Sequence, residues 1–138
     1  MIQTIESPNV AAAMSFIRAV EEMDGREMEE HFAPDVQQVE MPNIYKPSGA
    51  VRDLTALKSD IEKAKGIIEQ QRYEIVSTVA SGDMVVFEMI WHGVVASDLP
   101  SLAKGTRMRA QCVAIFQFED GKVVRLRNYD CFDPIQAA

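Results

Sequence analysis

Asn128 and Asp130 are the two residues whose types and spacing most directly suggest chemistry. They lie two positions apart in a segment whose preceding alternate positions are Val124 and Leu126. Alternate residues of a β-strand point to the same face, so the amide and the carboxyl are expected to point inward with the apolar pair. An inward carboxyl must be paired, hydrogen-bonded or kept neutral by a raised pKa, and it is then a candidate general acid or base. Asp130 is therefore predicted to move a proton and Asn128 to orient a ligand.

A plainer interpretation gives these side chains structural roles only. Asp130 would then reach solvent or cap a backbone group at the end of its strand, and Asn128 would be a core amide with its hydrogen bonds satisfied. Trp91 either packs in the core or forms a flat wall against a ligand, and Tyr45 either closes the mouth of a pocket or packs on the surface. The residues predicted to line a ligand pocket are Trp91, Tyr45, Met89, Cys112 and Ala110.

Other kinds of site find little support in the sequence. His31 and His92 have no second histidine or carboxylate at metal-ligand spacing, and Cys112 and Cys131 are expected to be reduced thiols. No phosphate-binding loop, dinucleotide fingerprint or nucleophile elbow is present. The expectation is a site that uses neither a metal nor another cofactor.

Two helices are predicted before the first strand. Ser7 before Pro8 has the form of an N-cap with proline at the first helical position, which indicates a helix over about residues 8–23. Asp24, followed three residues later by Glu27, has the form of a capping box. It predicts a short second helix that ends before Pro34.

The rest of the chain is predicted to be one helix and a series of strands. A strand over 36–41 and a loop over 42–52 precede a third helix, which Asp53 caps and whose apolar positions run from Leu54 to Ile68. Longer strands with turns between them are expected at about residues 72–79, 84–95, 106–118 and 122–132. The pattern indicates the α+β class, with three N-terminal helices on one face of a curved, mainly antiparallel sheet and a pocket between the two layers.

The turn at Asp120 and Gly121 decides which inward residues face each other. A two-residue loop would pair Phe116 with the outward Arg125, so a three-residue loop with a G1 bulge at Gly121 is expected instead. The resulting pairs are Phe116 with Val124, Ala114 with Leu126, Cys112 with Asn128, and Ala110 with Asp130. Small residues beside the two polar groups would leave room for a ligand.

Bulk composition limits the partners. A length of 138 residues predicts a single domain over 1–138. The net charge of −7 predicts that this domain binds no nucleic acid. No apolar run reaches the roughly 20 residues of a membrane span, and the first residues do not resemble a targeting signal. A cytoplasmic protein that does not associate with membranes is therefore expected.

Several segments resemble the SnoaL-like polyketide cyclase branch of the nuclear-transport-factor-2-like (NTF2-like) superfamily. The matching segments are HFAPDV at 31–36, SGDMVV at 81–86, WHG at 91–93, FQFEDGKV at 116–123 and RNYD at 127–130. The resemblance implies a cone-shaped, cystatin-like α+β fold with an internal pocket and a homodimer formed through the outer face of the sheet. Members include cyclases, ketosteroid isomerases, epoxide hydrolases and non-catalytic binding modules, so the fold does not select an activity.

The catalytic positions of these relatives are mostly filled by other residues here. The two aspartates of ketosteroid isomerases correspond to Met41 and Ala114, and the charged triad of the epoxide hydrolases corresponds to Met89, Trp91 and Asn128. The cyclase histidine also corresponds to Ala114. The cyclase aspartate aligns directly with Cys131, and with Asp130 after a shift of one residue.

Two functions are therefore open from the sequence. The first is a cofactor-independent cyclase or isomerase that acts on a hydrophobic, carbonyl-bearing small molecule, with Asp130 moving a proton and Asn128 or Tyr45 holding the oxygen. The second is a non-catalytic binding or scaffold domain whose pocket only holds an apolar ligand, or is filled by its own side chains.

Overall fold

The computed structural model describes residues 7–135. Helix α1 (Pro8–Glu22) confirms the first predicted helix, and the Ser7 hydroxyl accepts a hydrogen bond from the backbone N–H of Val10 at 3.5 Å. The helix ends at Met23, whose φ of 56° is left-handed. Its buried side chains, among them Phe16 and Ile17, face the sheet.

The predicted second helix is wrong. Only a 3₁₀ turn, Met28–Glu30, forms there, and strand β1 (Phe32–Glu40) begins before Pro34. The Asp24 carboxylate does not cap a helix, because it accepts hydrogen bonds from the backbone and side chain of Arg26 instead. Pro34 is accommodated inside β1 because the pairing of β1 with its neighbour shifts between residues 32 and 37, where the missing N–H breaks no ladder bond.

The segment predicted as a loop ends in a short strand, β2 (Ala50–Arg52), which pairs antiparallel with β1. Asp53 then caps helix α2 (Leu54–Lys63) by accepting from the N–H of Ala56 at 2.9 Å, as expected. This helix stops earlier than its apolar pattern suggested. A 3₁₀ turn (Ala64–Gly66) follows, and Ile68 already belongs to the next strand.

A six-stranded mixed sheet forms the second layer. Its long strands are β3 (Ile68–Ser81), β4 (Met84–Val95), β5 (Arg107–Glu119) and β6 (Lys122–Phe132). The order across the sheet is β2-β1-β6-β5-β4-β3, and all neighbours are antiparallel except β1 and β6. The α+β class is thus confirmed, with two α-helices rather than three.

The predicted inward faces of β4 and β5 are confirmed. Val85, Phe87 and Met89 on β4 are almost fully buried, and Trp91 is 9% exposed. The matching set on β5 comprises Met108, Ala110, Cys112, Ala114, Phe116 and Phe118, all buried. These residues and the helices share one core, in which the ring centroid of Phe16 lies 5.8 Å from that of Phe116.

The predicted register of the β5–β6 hairpin is wrong by two residues. Asp120 and Gly121 form a two-residue turn with φ of 50° and 79°. The β-bulge lies at Val124 of β6, where the β5–β6 pairing shifts by one residue, and not in the turn. Two left-handed residues suit a type I′ turn, which matches the twist of a hairpin. Because the bulge adds one residue to β6 only, the later residues keep their predicted faces while Val123, not Val124, is fully buried.

The observed cross-strand pairs are therefore Phe116 with Leu126, Ala114 with Asn128, Cys112 with Asp130, and Ala110 with Phe132. The correction changes the cross-strand neighbours of both polar residues. Asp130 now lies opposite a thiol, and Asn128 lies opposite a methyl group.

Replacing Gly121 by alanine tests the turn. A Cβ at a φ of 79° is strained although no atom lies within 4 Å of it, so Gly121→Ala is expected to lower the free energy of unfolding by roughly 1 kcal/mol. Gly66→Ala is the matched control, because that glycine has open space and no positive φ. Urea unfolding should show the control unchanged or slightly stabilised. Equal stability of both variants would contradict the assigned turn.

Candidate functional site

Two cavities lie between the sheet and the helices, and they share part of their walls. The larger has a volume of about 470 Å³, with apolar walls that include Ile68, Trp91 and Phe132. The smaller, of about 220 Å³, reaches Phe16 and Ile17 of α1. The residues bordering both are Glu40, Arg52, Asp60, Ala64, Gln71, Tyr73 and Asp130.

Asp130 brings a carboxyl to the boundary of the two cavities. The alternation of β6 turns it inward, where it pairs across the ladder with Cys112. Burial raises the pKa of Asp130, the contact with the Cys112 thiol acts in the opposite direction, and the negative charge of Glu40 raises it further. Burial and the nearby Asp130 also raise the pKa of Cys112, so the thiol stays protonated. This carboxyl therefore takes up a proton more readily than an ordinary aspartate.

Arg52, at the end of β2, is the centre of a polar cluster that the sequence analysis did not predict. Its guanidinium donates to Asp60 Oδ2 at 2.6 Å, to Glu40 Oε1 at 2.9 Å and to Gln38 Oε1 at 2.9 Å. Burial alone would lower the pKa of Arg52, but the hydrogen bonds to Asp60 and Glu40 raise it above its ordinary value. The side chain is only 12% exposed, so these contacts hold β1, β2 and α2 together in a poorly solvated place.

Gln38 extends this cluster to Asn128. Its side-chain Nε2 donates to Asn128 Oδ1 at 2.7 Å, and Gln38 is 6% exposed. The sequence signal that could have identified Gln38 is the alternation of faces along β1, where Val36, Gln38 and Glu40 occupy one face. Val36 is fully buried, so the two polar residues that follow it at steps of two are also directed inward.

Trp91 is held in one orientation on the wall of the larger cavity. Its Nε1 donates to Gln71 Oε1 at 2.9 Å, and the Gln71 amide in turn donates to the carbonyl of Val20. The indole lies over Gly93, where an added Cβ would come within 2.6 Å of Cη2 and would also overlap Cζ2. Gly93 therefore leaves the space that lets the ring lie flat instead of projecting into the cavity.

Tyr73 is a cavity residue that the sequence analysis missed. Tyr73 is partly buried against the core, and both burial and the nearby Cys112, Asp130 and Glu40 raise the pKa of its phenol. The hydroxyl therefore stays protonated and is available as a hydrogen-bond donor. Tyr73 of β3 pairs with Trp91, which faces inward on β4. Knowledge of this register would have placed Tyr73 in the cavity, but the sequence alone did not reveal it.

The structure brings most of the predicted site residues together. Asp130 borders both cavities, Asn128 and Met89 border the smaller one, and Trp91, Cys112 and Ala110 border the larger one. Tyr45 lies farther out. It is 37% exposed, and its ring packs edge-on against Phe132, with centroids 4.8 Å apart.

Two further observations concern metal sites and membrane spans. Within residues 7–135, no group of three or more metal-ligating side chains is clustered. His92 lies on the outer face of the sheet, 3.5 Å from Glu74 Oε1. No helix in the described part of the chain is long and apolar enough to cross a bilayer.

Solved structures of NTF2-like and ketosteroid isomerase-like fold share this arrangement of two helices on a six-stranded sheet. A proposed polyketide cyclase from Acidithiobacillus ferrooxidans is 18% identical and superposes with a TM-score of 0.75, covering 93% of this chain and 91% of that one. IdmH, a proposed polyketide cyclase from Streptomyces antibioticus, is 16% identical with a TM-score of 0.74 and coverages of 88% and 91%. The LEH-like epoxide hydrolase of M. tuberculosis is 16% identical, with a TM-score of 0.67 and coverages of 91% and 83%.

The model of the SnoaL-like domain matches residues 13–126, and the chain belongs to that family. No curated protein sequence is detectably similar to it. Since the structural relatives carry different activities in their names, the fold does not choose among reactions.

The raised pKa of Asp130 predicts how stability varies with pH. Between the ordinary aspartate pKa of about 3.9 and the higher value in the folded chain, the folded state holds a proton that the unfolded state has released. The free energy of unfolding therefore falls as the pH rises through this window. The Asp130→Asn variant has no carboxyl to titrate and does not lose stability in this way. Its free energy of unfolding, compared with that of the wild type at the same pH, should therefore rise by about 1.4 kcal/mol for each pH unit of the window.

Urea unfolding over a series of pH values measures this difference. Asp133→Asn is the control, because Asp133 forms a partly exposed ion pair with Arg109 at 3.2 Å and lies outside both cavities. A pH-independent difference between Asp130→Asn and the wild type would show that Asp130 titrates normally.

Proposed function

We propose that this protein binds a hydrophobic, carbonyl-bearing small molecule between the sheet and the helices and catalyses proton transfer on it, as a cofactor-independent cyclase or isomerase. The observation that carries the proposal is Asp130, a carboxyl with a raised pKa on the wall of a largely apolar cavity. A general acid or base works best when its pKa lies near the working pH, and burial moves an aspartate in that direction.

The walls favour an apolar ligand with a flat part. Trp91 and Phe132 meet edge-on, with ring centroids 6.1 Å apart, and Ile67 and Ile68 continue the apolar wall. Aromatic walls bury a large area and restrict the orientation of a ring system. Lys46 and Lys63 border the larger cavity as well, so a polar end of the ligand can remain near the rim.

The chemistry requires only groups that the chain itself carries. The Asp130 carboxylate removes a proton from a carbon beside the ligand carbonyl, the electrons of that bond move onto the carbonyl oxygen, and the proton is returned elsewhere on the same molecule. Asn128 and the Tyr73 hydroxyl hold the oxygen as its negative charge develops, and Tyr45 stays a candidate for closing the mouth. Nothing is oxidised or reduced overall, so no cofactor is consumed.

A non-catalytic binding domain is the second candidate, and the family comparison favours it at one point. The positions that serve catalysis in ketosteroid isomerases are Met41 and Ala114 here, and Ala114 also replaces the cyclase histidine. A cavity in which Asp130 is the one carboxyl not bonded to Arg52 would then hold its ligand without transforming it.

Proton transfer can be tested on whichever ligand the protein retains. Mass spectrometry of the recombinant protein under native conditions identifies the bound molecule, and proton NMR in D₂O follows exchange of its acidic C–H for deuterium. The wild type is expected to accelerate this exchange, and Asp130→Asn is expected to slow it by about 100-fold while still binding the ligand. Asp133→Asn is the matched control and should exchange at the wild-type rate. Equal exchange by Asp130→Asn and the wild type would favour binding without catalysis.

We also infer that the protein is a homodimer through the outer face of the sheet. The centre of this face is apolar and half-buried, and consists of Val86, Ile90, Val113 and Ile115. The charges on this face are acidic on β3 and β4 and basic on β5 and β6, with Glu88 directly opposite Val113: Glu74, Glu88, Arg109 and Arg127. A two-fold axis that runs parallel to the strands through the apolar centre would set the acidic side of one copy against the basic side of the other.

Sedimentation velocity tests this arrangement. The wild type is expected to sediment as a dimer and Ile115→Lys as a monomer, because a lysine directly opposite Arg127 would place a second positive charge at the apolar centre of the face. Val51→Lys is the control, since Val51 is 67% exposed on β2, far from this face in the order of the sheet. A monomeric wild type would rule the interface out.

A further inference from the structure

The cluster around Arg52 fixes the direction of two side-chain amides. A guanidinium carries hydrogen-bond donors and no acceptor, so the Gln38 atom that meets Arg52 Nη1 at 2.9 Å must be the carbonyl Oε1. The Gln38 NH₂ group is then directed to the opposite side. There it lies 2.7 Å from the Asn128 side chain, which must present its own carbonyl, Oδ1. The orientation of each amide follows from donor and acceptor chemistry alone.

Little in the surroundings allows this chain of hydrogen bonds to reverse. Arg52 is held by Asp60 at 2.6 Å and by Glu40 at 2.9 Å, and the second oxygen of Glu40 accepts from Asn43 Nδ2 at 2.9 Å. Gln38 is 6% exposed, so water cannot readily replace either of its partners. A rotated Gln38 amide would set an NH₂ group against the guanidinium and leave buried donors unpaired.

Asn128 is left with an NH₂ group on the side away from Gln38. Asn128 and Asp130 both line the smaller cavity, and they occupy successive inward positions of β6. Such positions are roughly 6.6 Å apart along a strand, which lets one small molecule reach both side chains.

We propose that Gln38 and Arg52 are positioning residues that hold Asn128 as a hydrogen-bond donor, so that the site selects a ligand with an acceptor oxygen, such as a ketone, ester or enolate, beside Asn128. The inference rests on the proposed function for the presence of a ligand, and it adds which polar group that ligand must carry. A ligand that offers only an apolar group at this point leaves the Asn128 NH₂ unpaired and binds more weakly.

The orientation is tested first without any ligand. In NMR spectra of the isotope-labelled protein, the Gln38 NH₂ protons should exchange slowly with water, because they donate to Asn128. The Asn128 NH₂ protons should exchange faster and show no through-hydrogen-bond scalar coupling to the Gln38 side chain. Such a coupling from the Asn128 NH₂ group to the Gln38 carbonyl would overturn the proposal.

Gln38→Glu is the variant that should reverse the donor. At about pH 8, far above the ordinary glutamate pKa, the new carboxylate accepts from Arg52 with one oxygen and offers the other to Asn128. Asn128 must then rotate, so that its NH₂ meets residue 38 and its carbonyl meets the cavity. Gln37→Glu is the matched control, because Gln37 is exposed and the variant adds the same charge to the same strand.

Three probes of similar size measure the consequence: methyl naphthyl ketone, ethylnaphthalene and naphthol. The wild type and Gln37→Glu should bind the ketone about tenfold more tightly than ethylnaphthalene, as one added hydrogen bond allows. Gln38→Glu should lose this preference and bind naphthol most tightly, because the hydroxyl donates to the exposed Asn128 carbonyl. A loss of packing alone would weaken all three probes together and would not invert their order.

The other possible results of these experiments also test the proposed orientation of Asn128. An unchanged order of binding in Gln38→Glu overturns the proposal. If the added charge unfolds the chain, Gln38→Leu takes its place; Asn128 is then free to rotate, and a preference for the ketone that survives undiminished overturns the proposal. If the wild type binds none of the probes, the proposed hydrophobic ligand loses its support, whereas the ligand-free NMR result still decides the orientation of Asn128.

Discussion

The site depends on the hydrogen bonds of one largely buried cation, the guanidinium of Arg52. A charge on a side chain that is 12% exposed needs partners, and Arg52 of β2 finds them on two other elements: Glu40 and Gln38 on β1, and Asp60 on α2. Arg52, Glu40 and Asp60 of this cluster therefore border both cavities between the helices and the sheet. Because Gln38 passes the constraint on to Asn128 of β6, the same cation that holds these elements together also determines which polar atom the cavity presents.

The sheet supplies the second constraint, which is the alternation of faces. The sequence predicted the inward residues of β4, β5 and the end of β6 correctly, because an apolar set at a period of two has only one way to face a core. It did not predict the register of the last hairpin. A bulge at Val124 and a three-residue loop both place Leu126, Asn128 and Asp130 inward, so the faces alone cannot distinguish between them.

The parts of the site that were missed are those that depend on distant residues. Arg52 and Asp60 are eight residues apart, but their contact with Gln38 and Glu40 requires β2 to turn back along β1, and no local period signals a strand of three residues. The false second helix has a similar origin. A sequence that fits a capping box at Asp24 was overruled by the bond of that carboxylate to Arg26 and by the tertiary pairing of β1. Local propensity is a weak prior where long-range pairing is available.

The distribution of charge explains why Asp130 differs from its neighbours. Glu40 and Asp60 also border the cavities, but both are bonded to Arg52, whereas no cation contributes to the pKa of Asp130. Had the guanidinium reached Asp130, the ion pair would have favoured the carboxylate and lowered its pKa. Instead the cation is held by two other acids, and the charge of Glu40 adds to the burial of Asp130 and raises its pKa. The cluster that stabilises the fold thus leaves the half-buried carboxyl of Asp130 without a counter-charge, and the proposed proton transfer depends on this feature.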